Sequence, residues 1–214
     1  MGSDEVIAAW LARFLRRRDG GATDAQEAQP DRAAAIGGLG EALVAGHLRE
    51  IGWPALRNVV LRERGGSVEI DLLARAPAAV VVLEVKTWSG FIQGAAQAAL
   101  WVRYGGDGSE LAVPNAVRQN LPHVAAVERA IGDSGVSVWG IVVSAGHARF
   151  VAPLRPHVVP VSAIGDVLQA RLADQNRLDR AWARLRQEAE RSPGRREAHV
   201  AWLWSRDRAA GNCE

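Results

Sequence analysis

The chain has 214 residues, with 26 basic and 24 acidic side chains and a formal net charge of +2. That length suits one well-buried domain with an appendage rather than two full domains, and so small a net charge gives no bulk electrostatic case for a polyanionic partner. Apolar residues at 48% and charged residues at 23% exclude wholesale disorder, and no run reaches the ~18 apolar residues of a membrane span.

Asp4, Glu5 and Arg13 do not suit a signal peptide, and the single cysteine, Cys213, can form no internal disulfide. Both point to a cytoplasmic protein. Residues 4–18 read as an amphipathic helix, with Val6, Ile7, Trp10, Leu11, Phe14 and Leu15 on one face. Asp19 to Asp31 lacks large apolar residues and reads as a linker. Residues 38–51 have a helical period through Leu39, Leu43, Leu48 and Ile51, ended by Gly52. Three strands are expected at 57–64, 67–75 and 79–87, with Gly65 and Gly66 turning the first hairpin. Residues 88–113 are Gly-rich, with a short helix expected around Ala95 to Trp101. A helix is expected over 115–131, kinked or delayed by Pro122, and a strand over 137–145. From Ser162 the chain reads as helical and arginine-rich, broken around Pro193 and Gly194.

Within that order one strand stands out chemically. Val80 to Leu83 is apolar on both faces, as in a central buried strand, and is followed at once by Glu84 and Lys86 on a shared face. Burying two charges costs several kcal/mol each, by rough estimate, unless they are paired or bind an ion. Taken alone, the two read most simply as an ion pair or as charges at a solvated strand end. Lys86 is also the chain's one lysine among 26 basic residues, and a compact ammonium is not interchangeable with a guanidinium near a reacting centre. Asp71, in the preceding strand, shifts the balance. A short turn near Ala76 to Ala78 sets it opposite Glu84, so the two carboxylates can converge with Lys86 nearby. Two carboxylates with phosphate oxygens and water suit a hard, octahedral Mg²⁺ better than zinc, with Mn²⁺ able to substitute.

The pattern of Asp71, Glu84 and Lys86 on adjacent strands resembles the PD-(D/E)XK nuclease superfamily and, more closely, the nuclease-related domain (NERD) family. Four blocks carry the resemblance: GLGEALV (38–44), VEIDLL (68–73), LEVKTWSGFI (83–92) and NAVRQNLPHV (115–124). Where the family usually has Asn-Pro, this chain has Asn115-Ala116 with Pro114 one step earlier, a departure that bears on the helix start. The resemblance implies an α/β fold with a restriction-endonuclease-like core: α-β-β-β-α-β, a mixed central sheet flanked by helices, with N- and C-terminal helical extensions. The boundaries are 1–31 for the N-terminal helix and linker, 32–164 for the nuclease core and 165–214 for the C-terminal extension. It implies metal-dependent hydrolysis of DNA phosphodiester bonds. Asp71 and Glu84, with the carbonyl of Val85, are the expected metal ligands, and Lys86 orients the attacking water and offsets charge on phosphorus. Glu41 would support a second metal or hydrogen-bond a metal-bound water, or be a solvated helix-face acid. Gln119 would position a phosphate or the nucleophile, or be a capping or surface amide.

Replacing Lys86 with Ala is expected to abolish cleavage and spare the fold. His47, His123 and Trp88 read as structural. The contrasting function is a catalytically inactive nucleic-acid-binding or scaffold module on the same fold. Residues 166–214 hold ten arginines against eight acids, which reads as a salt-bridged helical surface. Its apolar stripe is expected to pack against the N-terminal helix, and a homodimer or protein partner through the terminal helices stays open.

Overall fold

A computed structural model describes residues 30–63, 65–166 and 173–211. The helix expected over 4–18 and most of the following linker lie outside them. The first described helix, α1 (Pro30–Glu50), begins earlier than Gly38; a proline whose missing N–H would have no partner anyway suits a first helical turn. It takes in Pro30 and Asp31, which the sequence assigns to the linker. Three strands follow, β1 (Ala55–Glu63), β2 (Gly66–Arg75) and β3 (Val80–Lys86). Glu63 pairs with Gly66, and Gly65 at φ 89° makes the turn between them. The chain continues through β4 (Phe91–Gln93), β5 (Leu100–Tyr104), β6 (Glu110–Pro114), α2 (Ala116–Ile131), β7 (Val138–Ser144), β8 (Arg149–Phe150), β9 (Val158–Pro160) and α3 (Gln175–Gly211). No helix of the described residues is long and apolar enough to cross a membrane.

The main sheet has the order β1-β2-β3-β7-β9, antiparallel from β1 to β3 and parallel from β3 to β9. It is a mixed sheet flanked by helices, as in a nuclease-like α/β core. Val44 and Leu48 of α1 pack on one face with Leu72, Val81, Leu83 and Val143. Ala126, Val127 and Ile131 of α2 and Leu178, Trp182 and Leu185 of α3 pack on the other with Ile70, Leu73, Val80 and Val82. β3 is covered on both faces, which is why its sequence is a continuous apolar run.

Three expectations need correction, and a fourth reaches beyond the described residues. Leu39 and Leu43 are 71% and 55% exposed, and the inward face of α1 is Gly40, Val44 and Leu48. No helix forms at Ala95 to Trp101; the segment turns and enters β5, within a second sheet of order β6-β5-β4-β8. That sheet builds its own core from Ile92, Trp101 and Val113 against Val142 and Leu154. The apolar stripe of the C-terminal segment packs on the main sheet through Leu178, Trp182 and Leu185; the N-terminal helix, its expected partner, lies outside the described residues. Lastly, α3 runs unbroken through Pro193 and Gly194. Proline costs a helix one internal hydrogen bond, but here α3 is held from outside, along the edge strand β1. Ser192 Oγ accepts the Val60 N–H at 2.8 Å, and Arg195 Nη1 donates to Val60 O at 3.2 Å.

Helix α2 lies close to the sheet because β7 offers a glycine beneath it. A Cβ built on Gly140 would stand 2.7 Å from Val124 Cγ2 and 3.2 Å from Asn120 Nδ2. Gly140→Ala is therefore expected to destabilise the fold by about 1–3 kcal/mol, the usual cost of overpacking. Urea unfolding measures it, and an unchanged midpoint would mean that α2 can lift without loss.

Candidate active site

The site begins where β2 and β3 part. Their last ladder pair is Leu72 with Leu83. One step beyond it, the Val85 N–H donates to Asp71 Oδ2 at 2.9 Å. Asp71 thus takes over a hydrogen bond that a longer ladder would have given to backbone. Its opposite number, Glu84, is 2% exposed. Lys86, two residues on, brings Nζ to 2.7 Å from Glu84 Oε1 and donates to Gln119 Oε1 at 3.0 Å. Its ammonium also lies 5.6 Å from the Trp88 ring centre, and Trp88 stands edge-on to Trp101.

Gln119 belongs to α2, and two asparagines set that helix. Asn115 Oδ1 accepts from the N–H groups of Val117 and Arg118 at 2.9 and 3.2 Å, while its amide donates to Ala96 O and Ala98 O. This N-cap starts the helix at Ala116 without the family's usual proline. Asn120, buried, donates to Val82 O and Ile141 O, both at 3.1 Å, and so ties α2 across β3 and β7. One turn past Gln119, His123 Nδ1 comes within 3.3 Å of Glu84 Oε2. From the other face, Gly40 brings α1 down onto the end of β3; a Cβ there would collide with Thr87 Cγ2. Glu41, the next residue, lies 3.4 Å from Arg57 Nη2, and its charge is felt at Asp71.

The two carboxylates are unequal. Burial first, then the charge of Glu84, pushes Asp71 up to about 6, against the pull of the Val85 amide. Burial also acts to raise Glu84, but the His123 contact and Lys86 outweigh it and hold that carboxyl below its usual range. An ionised Glu84 beside an Asp71 that resists ionisation is an electrostatic arrangement lacking one positive charge. Glu84 Oε2 is, moreover, buried, and the 3.3 Å approach of His123 Nδ1 does not complete a hydrogen bond to it. Both observations fit a hard cation near the pair. Among the described residues no three His, Cys, Asp or Glu side chains gather as a ligand cluster, so such an ion would rely on few protein ligands, as Mg²⁺ commonly does.

The geometry thus gathers Asp71, Glu84, Lys86 and Gln119, with Glu41 coupled to Asp71 by charge. Val85 is tied to the site through its N–H. The plain ion pair between Glu84 and Lys86 is present as well, inside the larger constellation. His123, which reads as structural in the sequence, joins the site, and with the two asparagines it is what sequence reasoning did not place there. The usable signal for His123 was its spacing of four from Gln119, which puts both on one helix face.

The sequence model of the nuclease-related domain family matches residues 36–145, a span holding every side chain of this site. No curated protein matches the chain. The crystal structure of a protein of unknown function, AF1548, is similar at 15% identity and a TM-score of 0.36, covering 78% of this chain and 96% of that one.

Proposed function

Because the chain belongs to the nuclease-related domain family, we propose that it hydrolyses DNA phosphodiester bonds in a reaction that depends on Mg²⁺ or Mn²⁺. The observation that carries this reading is the meeting of buried Glu84 with Lys86, Gln119 and Asp71 at the fork of β2 and β3. Asp71 and Glu84 would hold the ion, with the Val85 carbonyl as a further ligand. The ion would supply Lewis-acid polarisation of the phosphate and a more acidic water.

The chain's own residues do the rest. Lys86 Nζ, fixed between Glu84 Oε1 and Gln119 Oε1, keeps one proton free to donate toward the attacking water or the phosphate oxygen. It thereby offsets charge that grows in the transition state. Gln119 orients the ammonium, and its amide N–H can meet a phosphate oxygen. His123 stands 3.3 Å from the far oxygen of Glu84, and Glu41 with Arg57 lines the approach from α1.

Cleavage of linear, circular and single-stranded DNA, with an RNA arm, in Mg²⁺, Mn²⁺ or EDTA tests the reading beside a Glu84→Gln control. Metal-dependent cutting that the control loses by roughly 10³-fold is expected, and the panel assigns the substrate. A folded wild-type chain that cuts nothing under any condition would instead support an inactive nucleic-acid-binding module.

A further inference from the structure

Asn58 alone, among the described residues other than glycine, has a positive φ, 52°. It lies in β1 between Arg57, paired with Leu72, and Val59, paired with Ile70, so the register sets it across from Asp71. Side chains two apart in a strand share a face, and both strands break that rule here. In β2, Leu72 and Ala74 pack in the core beneath α1, whereas Ile70 packs in the core on the opposite face. In β1, Leu56 and Val59 are three apart yet pack in the same core. The paired strands therefore change faces together, at Asn58 and Asp71. Released from the alternation, the Asp71 carboxylate reaches toward β3, where it meets the Val85 N–H.

A left-handed backbone at a residue with a side chain persists only where its surroundings hold it, although asparagine tolerates it better than most. The holder is on α3. Arg196 Nη2 donates to Asn58 O at 2.8 Å, and its Nε donates to Glu69 Oε1 at 3.2 Å, which spans the two strands on either side of the inversion. Ser192 and Arg195 grip Val60 two residues further along β1.

We infer that Arg196, acting through the left-handed Asn58, is a positioning residue that turns Asp71 into the active site. The C-terminal helix, outside the span matched by the family, is by this route part of the machinery that sets the carboxylate. The consequence for cleavage rests on the nuclease reading; the consequence for Asp71 does not.

The test uses the full chain and reads the Val85 amide by hydrogen exchange, with the Val82 amide of the same strand as the control for global opening. In Arg196→Ala, exchange at Val85 is expected to rise roughly ten-fold while Val82 is unchanged. Adding Asn58→Gly, which supplies the left-handed backbone without strain, restores Val85 protection. Asn58→Val, β-branched and unsuited to that conformation, loses it with Arg196 intact. Cleavage follows in parallel, with kcat falling roughly 10- to 100-fold in Arg196→Ala and recovering in the double variant. Val85 exchange that stays at the wild-type rate, moves only together with Val82, or is not rescued by glycine would overturn the inference. Loss of cleavage with Val85 unchanged would make Arg196 a nucleic-acid contact instead, which also overturns it. If Val85 responds and glycine rescues it, yet the wild-type chain cuts nothing, the positioning stands and the nuclease reading fails.

Discussion

Lys86→Ala is expected to cut DNA roughly 10²- to 10³-fold more slowly than the wild type, the usual consequence of losing one fixed donor to the developing charge. It is also expected to unfold at lower urea, by about 1–3 kcal/mol. The sequence alone leads one to expect that the fold is spared. The structure revises this, because Glu84 is 2% exposed and Lys86 Nζ is its 2.7 Å partner. Removing one member of a buried pair leaves the other charge uncompensated and costs ~3–5 kcal/mol when burial is complete. His123 remains against the second oxygen of Glu84, so the loss falls below that range. The sign follows from Glu84, whose folded pKa lies below the ordinary 4.5. Its stabilisation is present above pH 4.5 and is lost as pH falls through the lower folded value. The stability gap between wild type and Lys86→Ala should therefore close in acid. Lys86→Ala combined with Glu84→Gln recovers stability without recovering cleavage. Lys86→Arg does not restore cleavage, since a planar fork cannot replace a point charge held by two oxygens. Unchanged single-turnover rates in Lys86→Ala would remove this residue from the chemistry.

The parts of the fold that were legible in the sequence are those where periodicity and turn chemistry agree. The β1–β2 hairpin announces itself through Gly65 and Gly66. The apolar run from Val80 to Leu83 marks a strand covered on both faces, and counting from the turn at Ala76 to Ala78 sets Asp71 opposite Glu84. What could not be read depends on contacts between segments far apart in the chain. The strands β4 to β6 are short and joined by Gly-rich connections, and they find their partners only around Trp101 and Leu154. Pro193 looks like a helix break until Ser192 and Arg195 are seen gripping the edge of β1 across more than a hundred residues. Leu39 and Leu43 carry the right period, but Gly40 sets which face of α1 comes closest to the sheet. His123 reads as structural in the sequence for a related reason. A lone histidine has little meaning in sequence until a buried carboxylate is found beside it.

Asp71→Asn should abolish cleavage and at the same time stabilise the folded chain above about pH 6. Asparagine keeps an oxygen that can accept the Val85 N–H, so the hydrogen bond at the fork survives. The charge does not, and with it goes the ligand that the proposed ion requires. The stability change follows from the unusual direction of the wild-type shift. Asp71 titrates near 6 in the folded chain against an ordinary 3.8, raised by burial and then by Glu84. Between those two values the folded state holds the proton more tightly than the unfolded state. Wild-type stability is thus highest below pH 3.8, declines as pH rises to about 6, and is flat beyond, as far as this group is concerned. The asparagine variant lacks that decline. The difference between the two proteins should be near zero in acid and grow to the order of 1–2 kcal/mol above pH 6, after allowance for solvent reaching a half-buried group. Urea unfolding at several pH values from 4 to 8 without metal measures it directly. Adding Mn²⁺ should then reverse the order above pH 6, because an ion that binds only the folded wild type stabilises it by mass action and leaves the variant untouched. A wild type and variant that track each other at every pH would mean that Asp71 is not held in the electrostatic conflict described above. If Mn²⁺ stabilises both equally, the ion is not bound through this carboxylate.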